Sequence, residues 1–347
     1  MVAARQANKI IVAGGGTGGH FFCGVAIAEH FLEAYPDAQV VFVGVQKGIE
    51  GRYKLQDRRM RLVFIPAKGF MNQSFFVKAE ALVLLLRACL SSMGILIRER
   101  PRAVIGVGGY ASAACILAAY LLKLFFGFKL SIVDQNSVPG FVNRFFSKLG
   151  VRAFCPFPYK GFQLIKMPIR RNIEEQAKEV AKFSWPPKCI FVQGGSQGAT
   201  GLNKAWIRIL PQLRAALPGA RYIHQTGVSS LDNVRTAYQE LGLEAECFGF
   251  TGEIGKYLSQ ADLVVSRSGA LSSFELIEFQ RPTVFVPFPH ASEDHQFKNA
   301  LALQDPSWVV PEADFSWGRI QRILDQSIPS LPRPKNAAQL TWRALLS

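Results

Sequence analysis

Lys9-Ile-Ile-Val-Ala-Gly-Gly-Gly-Thr-Gly-Gly-His20 is the stretch whose reading decides the fold. The apolar run Lys9–Ala13 is too short for a helix and reads as a buried strand. Gly14–Gly19 then turns tightly, and the apolar sequence resumes as a helix to about Tyr35. A strand that enters a glycine turn and leaves as a helix opens a βαβ unit. The same opening recurs at Lys188-Cys-Ile-Phe-Val-Gln-Gly-Gly-Ser-Gln-Gly198, followed by a helix to about Ala216. The predicted architecture is therefore α/β: two doubly wound, parallel-sheet, Rossmann-like domains facing a cleft.

Working outward, Gln39–Gly44, Arg61–Ile65, Ala103–Val107, Leu130–Val133 and Val151–Cys155 are further strand-like runs. Helical patterns over 76–99, 111–125 and 139–149 separate several of them. Short apolar strands alternating with helices indicate a parallel sheet covered on both faces. Pro156, Pro158 and Pro168 punctuate 155–170, which reads as an interdomain linker. Beyond it, Arg221–Gln225, Glu246–Phe250, Asp262–Ser266 and Thr283–Val286 are the strands of a second sheet. The 347 residues divide into domains over 1–162 and 163–330, with a short segment, 331–347, after them.

The charge is uneven. Residues 1–165 hold 20 Lys/Arg against 8 Asp/Glu, a balance of +12, whereas 166–347 hold 20 against 17, a balance of +3. A basic half beside a nearly neutral one points to an anionic partner such as nucleic acid, acidic lipid or a phosphorylated ligand. No RNP-like, KH or helix-turn-helix pattern is present, so nucleic acid is not the expected partner. The six cysteines are scattered without a C-x-x-C pair, which argues against a zinc ribbon or a disulfide framework. Lys123 interrupts the apolar run from Ala111 after twelve residues, against the ~20 a spanning helix needs, so a soluble or peripheral chain is expected.

Gly14–Gly19 satisfies G-x-G-x-x-G, whose glycines let a backbone approach a phosphate. A nicotinamide site also requires an acid at the end of the second strand. That strand ends Gly44-Val-Gln-Lys47 with none in reach, which counts against an oxidoreductase. His20 opens the helix, where the dipole favours a neutral imidazole able to accept a proton; its competing reading is a turn cap. Gly194-Gly-Ser-Gln-Gly198 repeats the turn with a hydroxyl, Ser196, suited to a phosphate or a sugar hydroxyl. A third turn, Ser266-Arg-Ser-Gly-Ala-Leu271, leads into a helix carrying Glu275 about a turn and a half inside. A helix N-terminus for a diphosphate and a carboxylate for a ribose diol together suit a nucleotide-sugar, although Glu275 also reads as an ordinary surface carboxylate. Val286-Pro-Phe-Pro-His290, Glu293-Asp-His-Gln296, Gly108-Gly-Tyr110 and Asp134-Gln-Asn136 lie at further strand ends, where open α/β sheets bind ligands. No D-x-D pair offers metal ligands, so a cation such as Arg170 is expected to face the diphosphate.

Six blocks fall in an order that resembles the MurG family of bacterial peptidoglycan glycosyltransferases over about residues 9–305. They are Gly15–His20, Gly108–Tyr110, Gln135-Asn136, Gly194–Ala199, Ser266–Leu271 with Glu275, and His295-Gln296. The resemblance implies the two-domain GT-B fold, with an acceptor- and membrane-side first domain and a UDP-sugar-binding second one. It also implies inverting transfer of N-acetylglucosamine from UDP to undecaprenyl-pyrophosphoryl-N-acetylmuramyl-pentapeptide, turning lipid I into lipid II for the cell wall. Location would be peripheral, at an anionic membrane on the cytoplasmic face of the bacterial inner membrane. Donor contacts would come from Thr17, Gly18, Gly19, Asn136, Arg170, Ser196, Thr251, Ala270, Leu271, Ser272, Ser273, Phe274, Glu275 and Gln296. His20 would be the candidate proton acceptor, Tyr110, Asp134 and Gln135 would lie on the acceptor side, and no metal or other cofactor is implied. Another GT-B glycolipid transferase or a UDP-sugar epimerase is the nearest alternative.

The chain departs from the family at Asp134, usually Glu, at Cys23, usually Pro, and at Lys166-Met-Pro-Ile-Arg170, usually Gly-Asn-Pro-x-Arg. In this architecture the last helix often returns to the first domain, and Asn336–Leu346 is a short candidate for it. Phe75, Phe76 and Val77, with Leu82–Leu86 nearby, are candidates for dipping into the membrane interface, against a competing reading as buried core that is the commoner one for such residues.

Overall fold

The computed structural model describes residues 9–51, 53, 55–67, 75–180, 182–195, 198–326, 328 and 345, with the backbone alone for 75–82. The chain forms two compact units, one of Met1–Arg171 with Asn336–Ser347 and the other of Asn172–Lys335.

The first unit is built on seven parallel strands. They are β1 (Lys9–Ala13), β2 (Gln39–Gly44), β3 (Met60–Phe64), β4 (Ala103–Gly106), β5 (Lys129–Val133), β6 (Arg152–Cys155) and β7 (Gln163–Leu164). Their order is β3-β2-β1-β4-β5-β6-β7, every neighbouring pair parallel. Ile10, Ile11 and Val12 on successive positions of β1 are all fully buried, so both faces of the sheet are covered, as an unbroken apolar run demands. The helix Gly18–Ala34 buries Phe21, Val25, Ile27 and Phe31. The helix Gly109–Phe126, at 18 residues, is long and apolar enough to cross a membrane. Here its small residues Ala111, Ala114, Cys115, Ala118 and Ala119 are buried in the core, and it packs against the helix Phe75–Glu99.

The expected linker is instead packed chain. Prolines keep 155–170 from becoming a helix, but apolar residues alternate at Ile165, Met167 and Ile169, the period of a strand, and all three are buried. β7 forms there, and His30 Nε2 lies 3.0 Å from the Ile169 carbonyl. Far along the chain, Leu345 is buried and its carbonyl accepts a 3.0 Å hydrogen bond from Ser131 Oγ on β5.

The second unit carries β8 (Cys189–Gln193), β9 (Arg221–Gln225), β10 (Ala245–Phe248), β11 (Leu263–Ser266) and β12 (Thr283–Phe285). These too are parallel, in the order β10-β9-β8-β11-β12. Trp206, Tyr222, Tyr238, Trp308 and Phe315 fill its core. In each sheet the strand order reverses beside the first strand, between β1 and β4 and between β8 and β11. Such switch points are where open α/β sheets accept ligands, and each glycine turn leaves the sheet at one of them.

Candidate active site

In the first unit the turn after β1 is pinned at both ends. Gly14 N–H donates to the Val43 carbonyl (3.0 Å), and Phe21 N–H to that of Thr17 (3.1 Å). Thr17, extended at φ −120° and ψ 157°, is the N-cap of the helix Gly18–Ala34. Its hydroxyl does not cap; Thr17 Oγ1 lies 3.2 Å from His20 Nδ1. When Nδ1 carries the ring proton, Thr17 accepts it and Nε2 keeps its lone pair. The turn after β4 packs closely against this one: a Cβ on Gly108 (φ +95°) would stand 2.7 Å from His20 Cδ2, and one on Gly109 (φ +84°) would meet the Gly15 carbonyl oxygen. Only glycine permits both the backbone and the approach of the imidazole. Tyr110 follows, 39% exposed.

The turn's anion-binding face is turned inward. Gly16 N–H donates to both oxygens of Glu50, at 3.0 and 3.1 Å, and Val45 N–H donates to Oε1 at 2.8 Å. The expectation that no acid is in reach of this turn is therefore corrected. Glu50, 1% exposed, stands six residues beyond Gly44, and its carboxylate occupies the Gly16 N–H of the turn. Its signal in the sequence was an acid set among Gly44, Gly48 and Gly51.

Asp134 and Gln135 are buried and face the protein. Asp134 accepts Asn136 N–H (3.0 Å), Asn136 Nδ2 (3.3 Å), Gly140 N–H (2.9 Å) and Asn143 Nδ2 (2.6 Å). Gln135 Nε2 donates to the Val107 carbonyl at 2.7 Å. They shape the loop that presents Asn136, which is partly exposed. Cys23, in the place of the family's proline, is enclosed, and burial pushes its thiol up to about 12 against the lowering effect of a hydrogen bond with Gln135. Arg170, 5% exposed, holds its guanidinium carbon 4.4 Å above the centre of the Phe22 ring, within the first unit.

In the second unit the helix Ala270–Phe279 starts directly behind β11, with Gly269 as N-cap. The N–H groups of Ala270, Leu271 and Ser272 precede its first i→i−4 bond, made by Ser273 to Gly269 at 3.0 Å, so they are available to an anion. Glu275 lies on the same helix at 5% exposure, which removes the reading of an ordinary surface carboxylate; Phe274 beside it is buried. The surrounding loops are tied to this turn. Ser268 Oγ donates to the Gln296 carbonyl (2.8 Å), and Phe288 N–H donates to Gln296 Oε1 (3.0 Å). Arg267 holds the Val286 and Pro287 carbonyls, each at 3.1 Å, and pairs with Glu312. Arg267 and Ser268 fall within the sequence block Ser266–Leu271, which assigns them no role of their own, and Glu312 lies outside every block. Thr251 Oγ1 accepts Glu253 N–H at 3.0 Å in the loop after β10. Gly194, Gly195 and Gly198 bound the second glycine turn, while Ser196 lies outside the described residues. Among the described residues, no group of three or more His, Cys, Asp or Glu side chains could hold a metal ion.

Comparison with known proteins agrees with this geometry. The glycosyltransferase family 28 N-terminal domain matches residues 10–155 and the C-terminal domain of the same family matches 189–340. A Myxococcus xanthus protein named UDP-N-acetylglucosamine--N-acetylmuramyl-(pentapeptide) pyrophosphoryl-undecaprenol N-acetylglucosamine transferase is 37% identical over 310 residues, 86% of this chain and 78% of that one. The chain belongs to glycosyltransferase family 28 and, within it, to the MurG family. Crystalline MurG from Acinetobacter baumannii has the same fold, with a TM-score of 0.66 and 27% identity over 92% of this chain and 90% of that one. The two parallel-sheet units are those of the GT-B fold. A UDP-GlcNAc 2-epimerase from Neisseria meningitidis, 13% identical over 82% of this chain and 84% of its own, shares the fold alone at a TM-score of 0.51. The C-terminal family match runs to residue 340, so the likeness extends well past the 305 expected from motifs.

Proposed function

We propose that this chain transfers N-acetylglucosamine from UDP-N-acetylglucosamine to lipid I, giving lipid II, with inversion at the anomeric carbon. The observation that carries the reading is the 37% identity, over 86% of the chain, to a relative named for that transfer. The acceptor's 4-hydroxyl attacks the anomeric carbon as the bond to the UDP oxygen breaks. The hydroxyl proton passes to Nε2 of His20, in the tautomer whose Nδ1–H donates to Thr17 Oγ1. UDP departs with the bonding pair. In this reading its charge is met by the N–H groups at Ala270–Ser272 of the second unit, with Arg170 of the first unit as the cation. Glu275 accepts hydrogen bonds from the ribose diol, the backbone near Thr251 reads uracil, and Gly18, Gly19, Asn136, Ser196, Ser273, Phe274 and Gln296 complete the donor contacts. Tyr110 stands on the acceptor side, with Asp134 and Gln135 shaping that loop. No bound metal is assigned a part.

The acceptor's lipid implies work at a membrane, and we assign the chain to the cytoplasmic face of the bacterial inner membrane as a peripheral protein. Support comes from the basic first half and from apolar side chains exposed on the first unit. Leu124 and Phe125 end one helix at 86% and 82% exposure, and Leu86 and Leu90 lie on the helix packed against it. The test is incubation with labelled UDP-N-acetylglucosamine and a lipid I analogue. Labelled disaccharide-lipid is the expected product; label released as free sugar, or epimerised without transfer, would reject the reading.

A further inference from the structure

We propose that Glu50 is a positioning residue for this transfer: its buried carboxylate ties Gly16 of the first glycine turn to the end of β2 and so mounts Thr17 and His20 against Gly108. The inference rests on the reaction proposed above. Glu50 is the meeting point of three segments, the turn after β1, the end of β2 and its own short helical turn, Ile49–Gly51. It accepts Gly16 N–H with both oxygens and Val45 N–H with one. The room it occupies is carved by glycines. A Cβ on Gly15 would stand 2.1 Å from Glu50 Oε1, one on Gly48 2.3 Å from Oε2, and one on Gly44 2.8 Å from its Cγ.

A carboxylate removed from water is costly unless donors surround it, and here the donors are Gly16 N–H of the glycine turn and Val45 N–H at the end of β2. With Gly16 held by the chain itself, the turn is a rigid mount for the residues that follow it. The residue after the anchored Gly16 is Thr17, whose hydroxyl orients His20, and the opposite side of the turn rests on Gly108 and Gly109. Glu50 thus acts on the chemistry only through the placement of the imidazole.

Glu50→Gln is nearly isosteric, but its amide turns a donor toward the Gly16 N–H, so the turn must shift. Three measurements on the full chain test the assignment. Amide exchange over Gly14–Gly19 is expected to quicken by about tenfold or more. kcat is expected to fall by about tenfold or more, while KM for UDP-N-acetylglucosamine stays within about twofold. Added to His20→Ala, the substitution is expected to cost almost nothing further, because both act through one group. Exchange or kcat within twofold of wild type, or a full multiplicative loss in the His20→Ala background, overturns the role. Should Glu50→Gln fail to fold, Glu50→Asp, which keeps the charge but shortens the reach, is read by the same three criteria. A wild-type chain that transfers no sugar overturns the reaction, and with it this role; a wild type that transfers beside an unaffected variant overturns the role alone.

Discussion

Glu275 shows how one side chain can have two readings in sequence that its surroundings separate. As a glutamate a turn and a half into a helix it had a mundane competitor, and burial to 5% exposure removed that competitor. Hydrogen bonds to a charged group contribute about 1.5–3 kcal/mol each. Glu275→Ala is therefore expected to weaken UDP binding by roughly ten- to a hundredfold while the melting transition persists. Calorimetric titration that returns the wild-type dissociation constant would remove Glu275 from the donor site. His20 and Glu275 are candidates on sequence because each stands at a fixed offset from a glycine turn. Glu50 was not, because nothing local links it to Gly16, 34 residues away.

At the scale of elements, a buried polar chain braces the second sheet beneath its glycine turn. Trp206 Nε1 donates to Tyr238 Oη (2.7 Å), which lies 3.2 Å from His224 Nδ1. His224 Nε2 in turn lies 3.1 Å from Asn203 Oδ1, and Asn203 Nδ2 donates to the Thr226 carbonyl (2.8 Å). One neutral tautomer, protonated at Nε2, satisfies every member, and burial lowers the His224 pKa to about 3. The folded state therefore refuses a proton that the unfolded chain accepts near pH 6.5. The His224 contribution is fully present above pH 6.5 and is lost as pH falls from there toward 3, by at most about 1.4 kcal/mol per pH unit. Melting followed from pH 7 to 5 should show a steeper acid decline in wild type than in His224→Asn. Parallel declines would mean that another group sets the slope. Strands at this scale were readable from apolar runs, whereas 155–170 was misread because proline was given more weight than the alternation of Ile165, Met167 and Ile169.

For the whole molecule the expected property is attraction to an anionic lipid surface. The +12 balance of residues 1–165 supplies the charge, at about 1 kcal/mol per basic residue near the surface. The exposed Leu124 and Phe125 supply apolar contact. Co-sedimentation with phosphatidylglycerol vesicles is expected to fall with salt, and Leu124→Ser with Phe125→Ser to reduce it at constant UDP affinity. Binding indifferent to salt and to both substitutions would contradict this reading. Phe75–Val77, also candidates for the interface, lie where only the backbone is described.

The order of strands, turns and helices, the family, and the residues at fixed offsets from each turn were decided by the sequence alone. Side-chain period and the steric freedom of glycine are local properties, legible without neighbours. Only the tertiary structure decided that Gly16 faces Glu50, that Glu275 is sheltered, and that Leu345 meets Ser131 across 214 residues of chain. Hydrogen bonding and burial between distant residues depend on the path the backbone takes through space, and no window of sequence contains that path.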